Sequence, residues 1–166
     1  MSLANLPPII CVAGKPRVGK TTLLVRLIPQ LRQRGYRIGV IKHSIHPFQV
    51  AQSGKDTWKH AQAGAEAVAF ASASELVLTR SLTAEMDIDA IAPLLGQVDL
   101  VLAEGYKRAP KPKIEVSRRA LGTDLVCPVR DLIAVVSDHP IELDVPRFEL
   151  DDAIGLADLI EQRYLG

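Results

Sequence analysis

Ile9-Ile10-Cys11-Val12-Ala13-Gly14-Lys15-Pro16-Arg17-Val18-Gly19-Lys20-Thr21-Thr22-Leu23-Leu24 decides how the rest of the chain is read. An apolar run ends at Gly14. Gly19, Lys20 and Thr21 follow at the spacing G-x-x-x-x-G-K-[ST], and a leucine-rich segment continues from them. A strand, a glycine-bounded loop and a helix in that order form a phosphate-binding loop. Polyphosphate oxygens need many donors at short range. Glycines let backbone N–H groups converge on them, the new helix end adds unpaired donors and a positive dipole end, and Lys20 adds a full charge. Thr21 brings a hydroxyl placed to ligate Mg²⁺. The expected nucleotide-binding residues are therefore Gly14, Lys15, Pro16, Arg17, Val18, Gly19, Lys20, Thr21 and Thr22.

Outward from the loop, Ile9–Ala13 is apolar at every position, the pattern of a strand covered on both faces. After Lys20, Leu23, Leu24, Leu27, Ile28 and Leu31 recur at helical spacing, and Gly35 stands where a helix takes a terminating glycine. Pro29 falls inside that helix and is expected to kink it or alter its last turns. Ile38–Lys42 reads as a second strand, so strand, loop, helix and strand make a βαβ unit and imply a parallel sheet. A helix is expected over 57–63, strands over 67–71 and 75–79, and a helix over 84–95 whose early Glu85, Asp87 and Asp89 suit its N-terminus. Strands over 114–116 and 132–136 follow. A closing helix over 151–164, capped by Asp151 or Asp152, completes the pattern. The prediction is an α/β protein of the P-loop NTPase fold, a mainly parallel sheet flanked by helices on both faces, with 1–166 as one domain.

A second signal is Val98-Asp99-Leu100-Val101-Leu102-Ala103-Glu104-Gly105, an apolar strand running into an acid and a glycine. Asp99 begins that strand, far from the edge where parallel α/β sheets bind ligands, whereas Glu104 ends it at that edge. Glu104 is the expected magnesium or water-positioning carboxylate, and the Gly105 N–H a donor to the γ-phosphate. Asp56, after a Gly-Lys turn, is the best second carboxylate for the metal. His43 is the candidate nearest a hydrolytic water, and no catalytic role is assigned to it. Asp138 follows a late strand, at a position where guanine-binding phosphate-loop proteins place the carboxylate that reads the base; the alternative is a simple turn before His139-Pro140. From 107 to 119 six basic residues face one acid, Glu115. Such a run is either a solvated face or a site for a second anionic ligand or an acidic partner.

Bulk properties narrow the function classes. The 166 residues are 48% apolar and 23% charged with a net charge of +1, which gives no support for bulk attraction to nucleic acid or to a membrane. Three Phe, three Tyr and one Trp argue against stacking platforms for single-stranded nucleic acid. Residues 1–8 have neither a basic start nor a long apolar stretch, so neither a signal peptide nor a span is read there. Cys11 and Cys127 cannot make a zinc site alone and are read as reduced packing residues of a cytoplasmic protein.

Several motifs coincide along the chain: GKPRVGKTTLL at 14–24, IKHSIHPF at 41–48, GKDT at 54–57, AGA at 63–65, DLVLAEGYK at 99–107, PKIEV at 112–116, and IAVVSDHP at 133–140 with LDV at 143–145. Together they resemble the molybdopterin-guanine dinucleotide biosynthesis adaptor protein B family, over essentially the whole chain. The resemblance implies a GTP-binding accessory protein with weak GTPase activity and Mg²⁺ as its metal. It also implies a homodimer that assists the guanylyltransferase attaching GMP to molybdopterin, with the basic 107–119 stretch as a possible molybdopterin contact. Lys15 departs from the family pattern, which more often has small polar residues there. The spelling G-K-x-x-x-G-K-T-T matches the deviant loop of MinD-like ATPases, in which the extra lysine reaches a phosphate in the partner subunit; the alternative is an exposed lysine beside Pro16. A small-molecule kinase, or an ATPase of that deviant type, is the competing enzyme class. A metal-delivery GTPase would need a better ligand cluster than His43, His46 and two scattered cysteines.

Overall fold

In the computed structural model, which describes residues 6–44 and 56–166, the apolar run before the loop is strand β1, Ile9–Gly14. Helix α1, Lys20–Gln33, follows the loop and continues past Pro29. It ends as the glycine predicts: Gly35 N–H donates to Arg32 O and Tyr36 N–H to Leu31 O, the paired bonds of a Schellman termination. Strand β2 is Ile38–Lys42, β5 Leu100–Glu104, β6 Lys113–Ser117, β7 Leu132–Ser137 and β8 Arg147–Phe148. Between β2 and β5 lie α2 (Asp56–Gln62), β3 (Ala67–Ala71), β4 (Leu76–Arg80) and α3 (Ile88–Ile91), and α4 (Ala153–Ile160) closes the chain's regular helices.

The main sheet has the order β2-β5-β1-β6-β7-β8, and every pairing in it is parallel. Alternation along β1 sorts the two faces. Ile10 and Val12 pack with Leu23, Leu27 and Leu31 of α1 and Leu156, Ala157 and Ile160 of α4. Ile9 and Cys11 turn the other way, onto Ile88 of α3 and Ala92 of the 3₁₀ turn that follows it. Both faces of β1 are therefore dry, which is why its sequence shows no polar alternation.

The chain divides into two compact units, Met1–His43 with Ile88–Gly166, and the intervening Ser44–Asp87, where the sequence suggests one domain. No described residue between 56 and 87 is buried. Within that stretch β3 and β4 form a two-stranded antiparallel hairpin. Two helices are shorter than their periodicity suggests. The one expected over 84–95 is α3 plus a 3₁₀ turn at Ala92–Leu95, where Pro93 lacks the N–H an α-helix would use. The last gives way to a π-turn at Glu161–Leu165, while Asp152 accepts from Gly155 N–H at 2.8 Å and so provides the expected cap. Among the described residues no helix is long and apolar enough to cross a membrane.

Candidate functional site

The parallel order puts the C-terminal ends of β5, β1, β6 and β7 side by side at one edge, and each delivers a polar group to it. At β1, Gly14 leaves the strand at φ +140°, and a Cβ there would stand 2.4 Å from Val116 O on β6. Only glycine fits. Arg17 turns the loop at φ 59°, and Val18 is buried in the core. Gly19 precedes α1, and no side chain caps the helix N-terminus or puts an acid in its first turn. The N–H groups of that turn, with their positive dipole end, are thus suited to an anion.

Lys20 Nζ donates to Gly14 O at 3.2 Å and to Lys15 O at 2.8 Å, folding over the loop that phosphates would fill. Burial lowers the Lys20 pKa, Glu104 opposes this, and Lys42 and Lys107 add to it. Thr21 Oγ1 lies 2.9 Å from both oxygens of Glu104, whose carboxylate is also 3.6 Å from Lys42 Nζ. The hydroxyl and the strand-end carboxylate are thus brought together. Among the described residues no group of three or more His, Cys, Asp or Glu could hold a metal. A cation here would have one carboxylate, one hydroxyl and the ligand's own phosphate oxygens, the mode in which Mg²⁺ is bound. The residues fit the ion.

Other expectations are modified. The Gly105 N–H donates to Val12 O at 2.9 Å, extending the β5–β1 ladder, so in this conformation it is not a phosphate donor. Asp56 belongs to the second unit, where it opens α2 and pairs with Lys59 at 3.3 Å. His46, Gly54 and Lys55 lie outside the described residues. The His43 ring packs against Tyr106, centroids 4.7 Å apart. Lys15 Nζ donates to Leu121 O at 3.0 Å and Gly122 O at 3.2 Å, bracing the loop against the turn after β6.

The basic run 107–119 is not one surface. Lys113 is fully buried, paired with Asp131 at 3.1 Å and donating to Ala109 O and Lys111 O. Lys111 pairs with Asp89 at 2.6 Å, and Glu115 is buried where it accepts from Val126 and Cys127 N–H. Only Lys107, Arg108 and Arg119 of the run's charged residues are exposed. Arg118 reads in the sequence only as one charge among several. Its Nε donates to Val18 O at 2.8 Å, which ties β6 to the phosphate loop, and no local pattern signals such a non-local pairing. Asp138, just past β7, accepts from Arg119 N–H at 2.8 Å, a bond that lowers its pKa and holds it ionised. Beside it a cleft of about 630 Å³ is lined by Arg119, Leu125, Val129, His139, Pro140 and Ile141.

A glycine-rich loop between β1 and α1, a Thr21–Glu104 pair and a parallel sheet with helices on both faces define an α/β protein of the P-loop type. Similarity to known proteins makes this more specific. Residues 9–138 match the family described as molybdopterin guanine dinucleotide synthesis protein B, and the chain belongs to that family. It is 38% identical over 167 residues to the molybdopterin-guanine dinucleotide biosynthesis adapter protein of Escherichia coli, covering 96% of this chain and 95% of that one. It is 35% identical over 159 residues to the protein of the same name from Haemophilus influenzae, covering 95% and 89%. Among solved structures, a crystal structure of Bacillus subtilis MobB superposes with a TM-score of 0.76 at 30% identity, covering 96% of this chain and 99% of that one.

Proposed function

We propose that the chain is an adapter protein of molybdopterin-guanine dinucleotide biosynthesis that works by binding GTP with Mg²⁺. The carrying observation is the meeting of Thr21 Oγ1 with both Glu104 oxygens at 2.9 Å, directly beside the loop over which Lys20 is folded. Lys20 and the backbone of Gly14–Thr22 would hold the phosphates, Thr21 and Glu104 the metal, and Asp138 the N1 and N2 hydrogens of guanine. An ionised Asp138 is suited to accept both. With Mg²⁺ bound, the metal supplies charge neutralisation across the phosphates. Lys42 and His43 are near Glu104, and no residue is assigned as general base, which fits slow hydrolysis. The protein would act in the cytoplasm as a homodimer, assisting the guanylyltransferase that attaches GMP to molybdopterin. The exposed Lys107, Arg108 and Arg119 are the part of the basic run open to an anionic pterin phosphate.

The test is nucleotide competition together with turnover. GTP is expected to displace a fluorescent guanine nucleotide at lower concentration than ATP, with product forming slowly and no γ-phosphate reaching an added small-molecule acceptor. Tighter ATP binding, or fast transfer to an acceptor, would replace this reading with the ATPase or kinase alternative. A guanylyltransferase that co-purifies equally with and without GTP would remove the nucleotide from the adapter role.

A further inference from the structure

The turn after β6 is held from three sides. Arg118 Nε reaches down to Val18 O at 2.8 Å, Lys15 Nζ reaches up to Leu121 O and Gly122 O at 3.0 and 3.2 Å, and Asp138 grips Arg119 N–H at 2.8 Å. Because β6 stands between β1 and β7, Arg118 falls between the phosphate loop and Asp138. Two strand spacings, about 10 Å, separate the strands bearing those two groups. A nucleotide with its phosphates on the loop and its base at Asp138 must cross that interval. Arg118 is what it crosses.

We propose that Arg118 is the platform of the site: its guanidinium, fixed by its edge to the Val18 carbonyl, receives the sugar–base part of the nucleotide on a face. This rests on the nucleotide-binding reading above. The Nε–Nη2 edge is already in use. Nη2 and Nε of Arg118 lie 3.4 and 3.6 Å from the point a Cβ on Gly19 would occupy, nearer than Cζ at 3.9 Å, so the guanidinium turns that edge to the loop where Gly19 carries no side chain. The residue as a whole is half-buried, so it is not sealed from solvent. A planar, delocalised cation stacks on an aromatic ring, and a compact ammonium does so less well. The same residue thereby shapes the loop through Val18 and Gly19 and contacts the nucleoside. Affinity for the base and affinity for the phosphates are coupled through one side chain.

The experiment titrates GTP and inorganic tripolyphosphate, each with Mg²⁺, into the full chain and into R118A, R118K and K20A, with thermal unfolding of each. The expected result is a roughly 5- to 30-fold loss of GTP affinity in R118A and in R118K, the range that a desolvated cation–π contact supports. Tripolyphosphate should lose less, so the GTP-to-tripolyphosphate ratio falls. An unchanged ratio in R118A, or full recovery by lysine, overturns the platform. If R118A does not fold, R118M keeps the aliphatic bulk over Gly19 and is read by the same ratio. K20A separates the two layers of the argument: undiminished GTP binding in K20A removes the nucleotide site itself, whereas loss in K20A with an unchanged ratio in R118A removes the platform alone.

Discussion

Gly14 is the tightest point of the phosphate loop. Its φ of +140° and the 2.4 Å that would separate a Cβ from Val116 O act together, since the backbone of β6 cannot retreat without breaking its ladder with β1. Gly14→Ala is expected to cost about 3 kcal/mol of folding stability, measured as a shifted denaturation midpoint at constant slope. A midpoint within experimental error of the unsubstituted chain would show that the loop relaxes freely. Gly14, Lys20 and Thr21 are legible in the sequence because their spacing is local and their chemistry shared by every phosphate loop. Arg118 is not, since its significance comes from β6 lying beside β1. The Gly105 N–H is misleading for the same reason, as its partner Val12 lies on another strand.

At the scale of single elements, β6 shows how a strand with charged residues becomes a core strand. Glu115 is 1% exposed and accepts from Val126 N–H at 2.7 Å and Cys127 N–H at 2.9 Å, so it ties the loop before β7 to the sheet. Glu115→Ala leaves two backbone donors without that acceptor and should destabilise the fold by about 3 kcal/mol. Glu115→Gln, which retains one acceptor oxygen, should cost less; equal costs would mean the two bonds contribute nothing separately. The start of β5 offers a pH test. Arg37 donates to Asp99 from its backbone N–H and guanidinium at 2.7–3.1 Å, and these bonds bring the Asp99 pKa down to about 2. A depressed carboxylate stabilises the fold above its unfolded pKa, about 3.9, and that stability is lost as pH falls through about 2. The stability of Asp99→Asn should therefore fall short of the unsubstituted chain at pH 5, with the gap closing toward pH 2. A gap independent of pH would assign the effect to packing.

For the molecule as a whole, the parallel sheet follows from the βαβ unit and the two dry faces from the apolar run at β1, and neither needs a structure to recognise; the strand order does. The second unit is harder to read, because strand patterns in 67–71 and 75–79 do not reveal how exposed their apolar residues are. Phe70 and Val77 are exposed on one face of the hairpin, Leu76 and Leu78 on the other. Such a two-stranded sheet is marginal alone, and apolar surface of this kind marks an association site. The proposed homodimer therefore predicts that sedimentation at micromolar concentration gives a dimer and that Phe70→Glu with Leu78→Glu gives a monomer. A monomeric unsubstituted chain would leave that surface without its proposed partner. The central claim, however, is the nucleotide site at the edge of the main sheet, and calorimetric titration of GTP with Mg²⁺ tests it most directly. The full chain should bind one GTP, Lys20→Ala should lose at least about tenfold in affinity, about 1.4 kcal/mol, and Glu104→Gln should lose the Mg²⁺ dependence. GTP binding of unchanged affinity in Lys20→Ala would contradict the account.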